Sequence, residues 1–164
     1  MCQRFCRGIA GAEITGKRWY DTDGCIEDKH GKISDIFEYY GEPHFRKLET
    51  EIVKELSKQD ELVISSGGGL VLKKENNELL QQNGKIIFLR ASLETLSCRL
   101  KVDKDRPLLQ SSTETILERL EKLLKERMPI YESVADYIVD VDGKTPDMIA
   151  REIVEITEKD EAGI

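Results

Sequence analysis

The stretch Glu61-Leu62-Val63-Ile64-Ser65 is a compact apolar run, and Ser66-Gly67-Gly68-Gly69 follows it directly. Short apolar runs of this kind are typical of strands buried in a parallel sheet. Glycines after such a strand let the backbone approach a ligand and expose its amide hydrogens. A flexible loop or the entry to a helix would explain the glycines equally well. The stretch therefore predicts an α/β fold with a candidate binding edge.

Strand-like and helix-like segments alternate on both sides of this stretch, which predicts a parallel sheet covered by helices. Ligands bind outside the carboxyl ends of the strands in such sheets. The other predicted strands are Trp19 to Asp21, Lys85 to Leu89 and Tyr137 to Val141. The predicted helices are Ile33 to Phe37 closed by Gly41, Phe45 to Gln59, one ending at Asn83-Gly84, one capped by Ser92, one from Ile116 interrupted at Pro129, and one opened by Thr145-Pro146.

Composition places the chain among water-soluble globular proteins. Its 164 residues suit one domain, with 35% charged and 39% hydrophobic residues. The net charge of -7 without a basic stripe makes nucleic acid an unexpected partner. No apolar run is long enough to span a membrane, and the first residues lack the apolar segment of a signal peptide. We therefore expect a cytoplasmic protein.

The four cysteines have no paired CxxC spacing. Cys2 and Cys6 could share a helical face and bind a metal, but no further ligands are placed to complete four. Reduced thiols of a cytosolic protein are the simpler interpretation of these two and of Cys25 and Cys98.

Two carboxylates and two arginines are candidate site residues. Asp21 and Asp23 stand one residue apart at a predicted strand end, where an extended backbone would point both to one face, towards a cation or a substrate hydroxyl. A polar turn at the strand end is the alternative. Arg46 and Arg127 could each hold a carboxylate or phosphate bidentately, although each taken alone fits a solvated arginine.

Six motifs follow one another along the chain: Tyr20-Asp21-Thr22-Asp23 with Ile26-Glu27, Ile33 to Phe37, Gly41 to Arg46, Gly67 to Gly69, Arg106-Pro107-Leu108-Leu109 and Glu126 to Tyr131. In this order and at close to this spacing they resemble the shikimate kinase family, from about Ala12 to Glu155. The resemblance implies a three-layer nucleoside-monophosphate-kinase-like α/β fold, with transfer of the ATP γ-phosphate to the 3-hydroxyl of shikimate in aromatic amino-acid synthesis.

The resemblance also implies a role for each matched residue. Asp21 matches the carboxylate that helps hold Mg²⁺ through water, and Asp23 matches the one that contacts the substrate hydroxyls and draws the proton. Phosphoryl transfer depends on such positioning and charge neutralisation. The residues matching the shikimate-binding set are Asp23, Arg46, Gly68, Gly69 and Arg127, and Arg106 matches the lid arginine over the ATP phosphates.

The sequence departs from the family's pattern at the N-terminus. The family's GxxxxGK[ST] phosphate loop follows an apolar strand, and the sequence contains no complete copy of that motif. Gly11 to Lys17 fits GxxxxGK, but Arg18 stands where Ser or Thr should bind Mg²⁺. We interpret Ala12 to Lys17 as the end of a helix and its turn into a strand. The first, central strand is therefore expected to be missing or degenerate, as if the N-terminus of a kinase had been replaced or misread.

We expect one kinase-like domain over residues 1–157. It has an atypical N-terminus at 1–11, a lid loop at about 102–112 and a polar, frayed tail at 158–164. Two functions stay open: a shikimate kinase, or a protein that binds shikimate without using ATP productively. A kinase for another polyol or sugar acid is a weaker alternative, because it gives no reason for the two arginines. By the resemblance, the chain is a monomer.

Overall fold

The computed structural model describes residues 10–102 and 116–161, along which short strands alternate with helices. The strands are β1 (Arg18–Asp21), β2 (Leu62–Ser65), β3 (Ile87–Arg90) and β4 (Tyr137–Asp140). The helices are α1 (10–15), α2 (Thr22–His30), α3 (Ile33–Leu56), α4 (Lys74–Asn83), α5 (Leu93–Val102), α6 (Ile116–Val134) and α7 (Pro146–Glu161), with a 3-10 turn at Leu70–Leu72. Each predicted strand is present within a few residues of its predicted bounds.

The strands of this part of the chain form two parallel pairs. β1 pairs with β2, from Arg18 opposite Leu62 onwards, and β3 pairs with β4. No ladder joins β2 to β3 among residues 10–102 and 116–161. The α/β class with parallel strands is thus confirmed. The missing first strand stays a prediction, because residues 1–9 lie outside the described residues.

Each strand pair carries its own apolar core. Next to β1 and β2, helices α2 and α3 bury a cluster that contains Ile26, Phe45 and Ile52. Next to β3 and β4, α7 buries Ile149 against Val139. The first cluster underlies the stretch from Asp21 to Arg46 and so fixes the helices that carry the candidate site residues.

Helix α3 is bent at Gly41, which has φ 76° and ψ 172° inside an otherwise helical run. Glycine reaches this positive φ without steric cost, whereas other residues rarely adopt it. Pro43 follows in the first turn of the second half, where a missing N–H costs no helical hydrogen bond. The predicted break between two helical pieces is confirmed, and it sets the direction of the half-helix that carries Arg46.

Two predictions about helix ends are wrong. Pro129 does not interrupt α6, which continues to Val134. Proline removes one helical hydrogen bond, but Pro129 lies on an exposed face where water can satisfy the freed carbonyl. The closing helix α7 also runs on to Glu161, into the segment predicted as a frayed tail.

The segment that partly matches the phosphate-loop motif has the opposite order of elements. Residues 10–15 are helical, Gly16 turns with φ 70°, and β1 begins at Arg18. A phosphate loop needs a strand before it and a helix after it. The interpretation of Ala12 to Lys17 as a helix end turning into a strand is therefore confirmed.

Two further predictions concern the lid and the membrane. Arg106 and the lid loop from residue 103 onwards lie outside the described residues. No helix in the described part of the chain is long and apolar enough to cross a membrane.

Candidate active site

The carboxyl ends of β1 and β2 bring two of the predicted stretches to one edge. Asp21 lies opposite Ser65 in the parallel ladder, so the chain leaves both strands at the same level. The indole Nε1 of Trp19 donates to Oγ of Ser65 at 2.9 Å and ties the two strand ends together. Asp23 and the glycines after Ser66 therefore start from neighbouring points, as the fold class predicts.

Asp21 and Asp23 are not both on an extended segment. β1 ends at Asp21 and α2 begins at Thr22, because Asp21 acts as the N-cap of α2. Its Oδ1 accepts a hydrogen bond from the backbone N–H of Asp23 at 3.1 Å. The helix cap thus joins the Asp21 carboxylate to the backbone of Asp23, and the geometric reason given by strand alternation is wrong.

Arg46 is held by two carboxylates of the same helix. Its Nη1 donates to Oε2 of Glu49 at 2.7 Å. Its Nη2 and Nε donate to Oε1 of Glu42 at 2.7 and 3.1 Å. The Glu49 side chain is 1% exposed, whereas that of Glu42 is 50% exposed. Arg46 is thus fixed from the buried side and reachable from the solvent side.

The glycine loop lies directly against Arg46. A β-carbon added to Gly69 would stand 2.2 Å from Nη1 of Arg46, closer than any real contact. One added to Gly68 would stand 2.9 Å from Oη of Tyr131, which donates to the Gly68 carbonyl at 2.9 Å. A side chain at either position would therefore force the tip of the Arg46 or Tyr131 side chain to shift, and the loop lies between α3 and α6.

Tyr131 also brings the second predicted arginine towards this loop. Arg127 lies four residues before Tyr131 on α6, so the two share a helix face. Its side chain is half-buried and forms no hydrogen bond or ion pair with any residue of 10–102 and 116–161. A half-buried guanidinium without an internal partner is available to a ligand carboxylate.

The turn after the glycines is supported by buried amides. Asn76 is 1% exposed, and its Nδ2 donates to the carbonyl of Leu70 at 2.9 Å. Lys73 Nζ donates to Oγ1 of Thr50 at 2.9 Å, and that oxygen in turn donates to the carbonyl of Arg46 at 3.0 Å. The bond from Lys73 to Thr50 therefore joins the turn after the glycine loop to the Arg46 turn of α3.

Burial and the ion pair with Arg46 have opposite effects on the pKa of the Glu49 carboxyl. Loss of hydration raises the pKa of the Glu49 carboxyl above its ordinary value, the ion pair with Arg46 lowers it, and the negative charge of Asp23 raises it further. The guanidinium of Arg46 is also desolvated, but its hydrogen bonds to Glu49 and Glu42 raise its pKa overall. The coupling with Glu49 places Asp23 within electrostatic reach of the Arg46 pair.

The sequence patterns indicated no role for Glu42, Glu49 or Tyr131. Glu42 and Glu49 stand four before and three after Arg46, spacings at which helix side chains meet, so helical periodicity could have indicated both. Tyr131 appears in a quoted motif, but its contact with Gly68 crosses 63 positions. No local pattern could have indicated that contact.

The carboxylates fit a magnesium ion that also contacts a ligand. Within 10–102 and 116–161, no three His, Cys, Asp or Glu side chains are grouped to hold a metal by themselves. Magnesium usually binds one or two carboxylates, with water and substrate phosphates completing its shell. Asp21, which caps α2 through Oδ1, has the chemistry for such a partial site.

A family model described as shikimate kinase matches residues 7–158. The chain belongs to the shikimate kinase family. A shikimate kinase of Chromobacterium violaceum is 38% identical over 90% of this chain and 80% of its own length. One of Thermodesulfovibrio yellowstonii is 41% identical over 90% of this chain and 84% of its own length. The family's members are phosphotransferases, so the predicted enzyme class is confirmed.

Solved shikimate kinases confirm the predicted fold. The Acinetobacter baumannii enzyme, crystallised in complex with shikimate, superposes with a TM-score of 0.89 and 34% identity, covering 96% of this chain and 87% of its own. The Aquifex aeolicus enzyme superposes with a TM-score of 0.84 and 32% identity, covering all of this chain and 95% of its own. The two separate strand pairs thus belong to the nucleoside-monophosphate-kinase-like architecture.

Proposed function

We propose that the edge formed by β1, β2, α3 and α6 binds shikimate, and that the chain transfers the γ-phosphate of ATP to the 3-hydroxyl of shikimate. The contact of Gly69 with Arg46 carries the proposal. A backbone loop without side chains lies against a rigidly held guanidinium, which suits a small polar ring bearing a carboxylate. The family to which the chain belongs supports shikimate as that ligand.

Each proposed role follows from the chemistry of the residue. Arg46 and Arg127 would grip the shikimate carboxylate, because guanidinium groups donate bidentately to carboxylates. The backbone of Gly68 and Gly69 would contact the ring at close range. Asp23 would accept hydrogen bonds from the hydroxyls and take the proton of the attacking oxygen.

The donor side is less complete within the described residues. Bound ATP with magnesium supplies the phosphoryl group in this chemistry, and Asp21 would hold the magnesium through water. No residues of 10–102 and 116–161 form a cradle for the ATP phosphates around the GxxxxGK match, since Gly11 to Lys17 runs from helix to strand. Arg106, which would close over the phosphates, lies outside the described residues.

One observation favours a second candidate function, shikimate binding without transfer. Phosphate loops anchor ATP through backbone amides and a lysine. Lys17 instead forms a surface ion pair with Glu61 at 3.8 Å. A chain that kept the acceptor residues without a working phosphate site would bind shikimate but release no ADP.

ADP release from purified protein with ATP, Mg²⁺ and shikimate separates the two functions. A blank without shikimate and the variant Arg127→Ala test whether release depends on the acceptor site. Arg151→Ala is the matched control, because Arg151 is an exposed arginine paired with Asp147 on α7. Release that needs shikimate and Arg127 supports transfer. If no ADP is released but shikimate still raises the Tm, the result supports binding alone. If shikimate causes neither ADP release nor a rise in the Tm, the result contradicts both candidate functions.

A further inference from the structure

Arg46 is bonded to two carboxylates that differ sharply in burial, and this difference suggests a function for one of them. We propose that Glu42 is a displaceable competitor, an internal carboxylate that occupies Arg46 until the carboxylate of the acceptor substrate replaces it. Glu42 would thereby set the affinity for the acceptor. This inference rests on the proposed function, because it takes Arg46 as the group that binds the substrate carboxylate.

The two glutamates have unequal freedom to leave. Glu49 is 1% exposed and packed inside α3, so releasing it would strand a buried charge. Glu42 is 50% exposed, and water can hydrate its carboxylate as soon as it leaves Arg46. Exposed ion pairs contribute little free energy, so this contact is the one a ligand can break. Glu49 stays as the fixed anchor.

The hydrogen bonds to Glu42 are also of a replaceable kind. Nε and Nη2 of Arg46 form the edge that a carboxylate usually grips with both of its oxygens. Glu42 reaches that edge with Oε1 alone, at 3.1 and 2.7 Å. A free carboxylate that presents two oxygens makes the better match. The hydrogen bonds that the substrate carboxylate forms with this edge of the guanidinium are therefore stronger than those that Glu42 gives up.

The backbone offers Glu42 a second stable position. Glu42 directly follows the bend at Gly41, so it lies in the first turn of the half-helix that carries Arg46. The first turn of a helix has unpaired N–H groups and a favourable potential for negative charge. A carboxylate released there is stabilised where it stands, and no rearrangement of α3 is required.

Local charge favours the same conclusion. Asp23 and Glu49 already place negative charge beside Arg46. With Glu42 added, the guanidinium is shared among several carboxylates and attracts an incoming anion less strongly. Removing the charge of Glu42 should therefore strengthen the binding of a carboxylate ligand and leave the fixed pair with Glu49 intact.

The test is calorimetric titration of the full chain and its Glu42→Gln variant with shikimate and with its neutral methyl ester. Glu42→Gln should bind shikimate roughly two- to fivefold more tightly, the range expected for losing one exposed ion pair. The ester should bind both proteins equally, because it has no charge with which to compete. Glu51→Gln is the matched control. Glu51 is exposed on the same helix and forms no ion pair with a described residue.

Three results would overturn the competitor role. Weaker shikimate binding by Glu42→Gln would mean that Glu42 holds Arg46 in position for the ligand. Equal tightening by Glu51→Gln, or by Glu42→Gln towards the ester, would mean a general charge effect. Unchanged binding would mean no role. If the wild-type chain binds no shikimate, the result contradicts the proposed function itself. The replacement of Glu42 by the substrate carboxylate is then contradicted as well.

Discussion

Gly69 and Arg46 are in such close contact that a β-carbon on Gly69 would stand 2.2 Å from Nη1 and 2.6 Å from Cζ of the guanidinium. Helix α3 directly precedes β2 in the chain, and the loop after β2 turns back so that the backbone of Gly69 lies against the side chain of Arg46. A side chain at position 69 would force the guanidinium of Arg46 to move. This contact should make the proposed acceptor site sensitive to a single added carbon.

Gly69→Ala should therefore weaken shikimate binding by at least about tenfold, because a displaced Arg46 loses a charge-assisted hydrogen bond of roughly 1.5–3 kcal/mol. Titration calorimetry measures the loss. Gly11→Ala, in α1, is the control, because the added β-carbon would lie at an ordinary contact distance of 4.0 Å from the Val63 side chain. Unaltered binding by Gly69→Ala would show that Arg46 can shift without consequence for the ligand.

Tyr131→Phe should weaken shikimate binding by about two- to tenfold, because one neutral hydrogen bond contributes roughly 0.5–1.5 kcal/mol. The change removes the hydroxyl that donates to the Gly68 carbonyl at 2.9 Å but keeps the tilted contact of the ring with Phe88. Tyr39→Phe, at a 73% exposed position, is the control. Equal affinities of the two variants would mean that the glycine loop holds its shape without Tyr131.

The strand and helix order was predictable from the sequence because it depends on local periodicity. Apolar runs gave β2 and β3, and the spacing of Phe45, Leu48 and Ile52 gave α3. Pro129 was misjudged because local propensity ignores the exposed face on which the freed carbonyl is hydrated. Local signals predict where elements lie, whereas their ends depend on surroundings that the sequence does not display.

The members of the proposed site could be predicted from the sequence, and they stay a prediction, whereas their geometry could not be predicted. The resemblance supplied Asp23, Arg46 and Gly69, and the fold placed the carboxyl ends of β1 and β2 at one edge. The contact of Tyr131 with Gly68 was not predictable, because it joins residues that meet only after folding, whereas the i,i+4 spacing of Glu42 and Arg46 could have indicated theirs. The cap formed by Asp21 was missed because the strand was assumed to continue beyond it.

Asp21→Ala should lower the free energy of unfolding by about 1 kcal/mol, the usual cost of losing an N-cap. Asp21→Asn should cost much less, because its amide oxygen can still accept from the backbone N–H of Asp23. Denaturant unfolding compares the two variants. A loss of Mg²⁺-dependent ADP release in Asp21→Asn with stability retained would separate the metal role from the cap. Equal destabilisation by both substitutions would contradict the cap.

Glu49 should make the stability of the chain depend on pH. Its pKa is raised above the ordinary 4.5, chiefly by burial, so between 4.5 and the raised value the folded state binds more protons than the unfolded state. Stability contributed by the protonated carboxyl is full below pH 4.5 and falls as pH rises through the folded pKa. Glu49→Gln cannot lose a proton and should escape this fall.

The measurement is denaturant unfolding of wild type and Glu49→Gln from pH 4 to 7. The free energy of unfolding of the variant minus that of the wild type should grow as pH rises above 4.5, whatever its value at the lowest pH. Taking the difference removes the titration of all other groups. A difference that stays level would show that the ion pair with Arg46 offsets the loss of hydration, and one that shrinks with rising pH would show that the ion pair outweighs it.

Lys17→Ala should leave both ADP release and shikimate binding at wild-type values. A phosphate-loop lysine is a main anchor of the ATP phosphates, and its loss would abolish transfer. Lys17 instead lies between the turn at Gly16 and the start of β1, and its Nζ pairs with Glu61 at the surface at 3.8 Å. Removing this exposed ion pair should lower the free energy of unfolding by less than about 1 kcal/mol. The assay is ADP release alongside thermal unfolding, with Lys74→Ala, an exposed lysine paired with Glu78, as the control. A selective loss of ADP release in Lys17→Ala would mean that the turn at Gly16 binds phosphate after all, despite its reversed order of helix and strand.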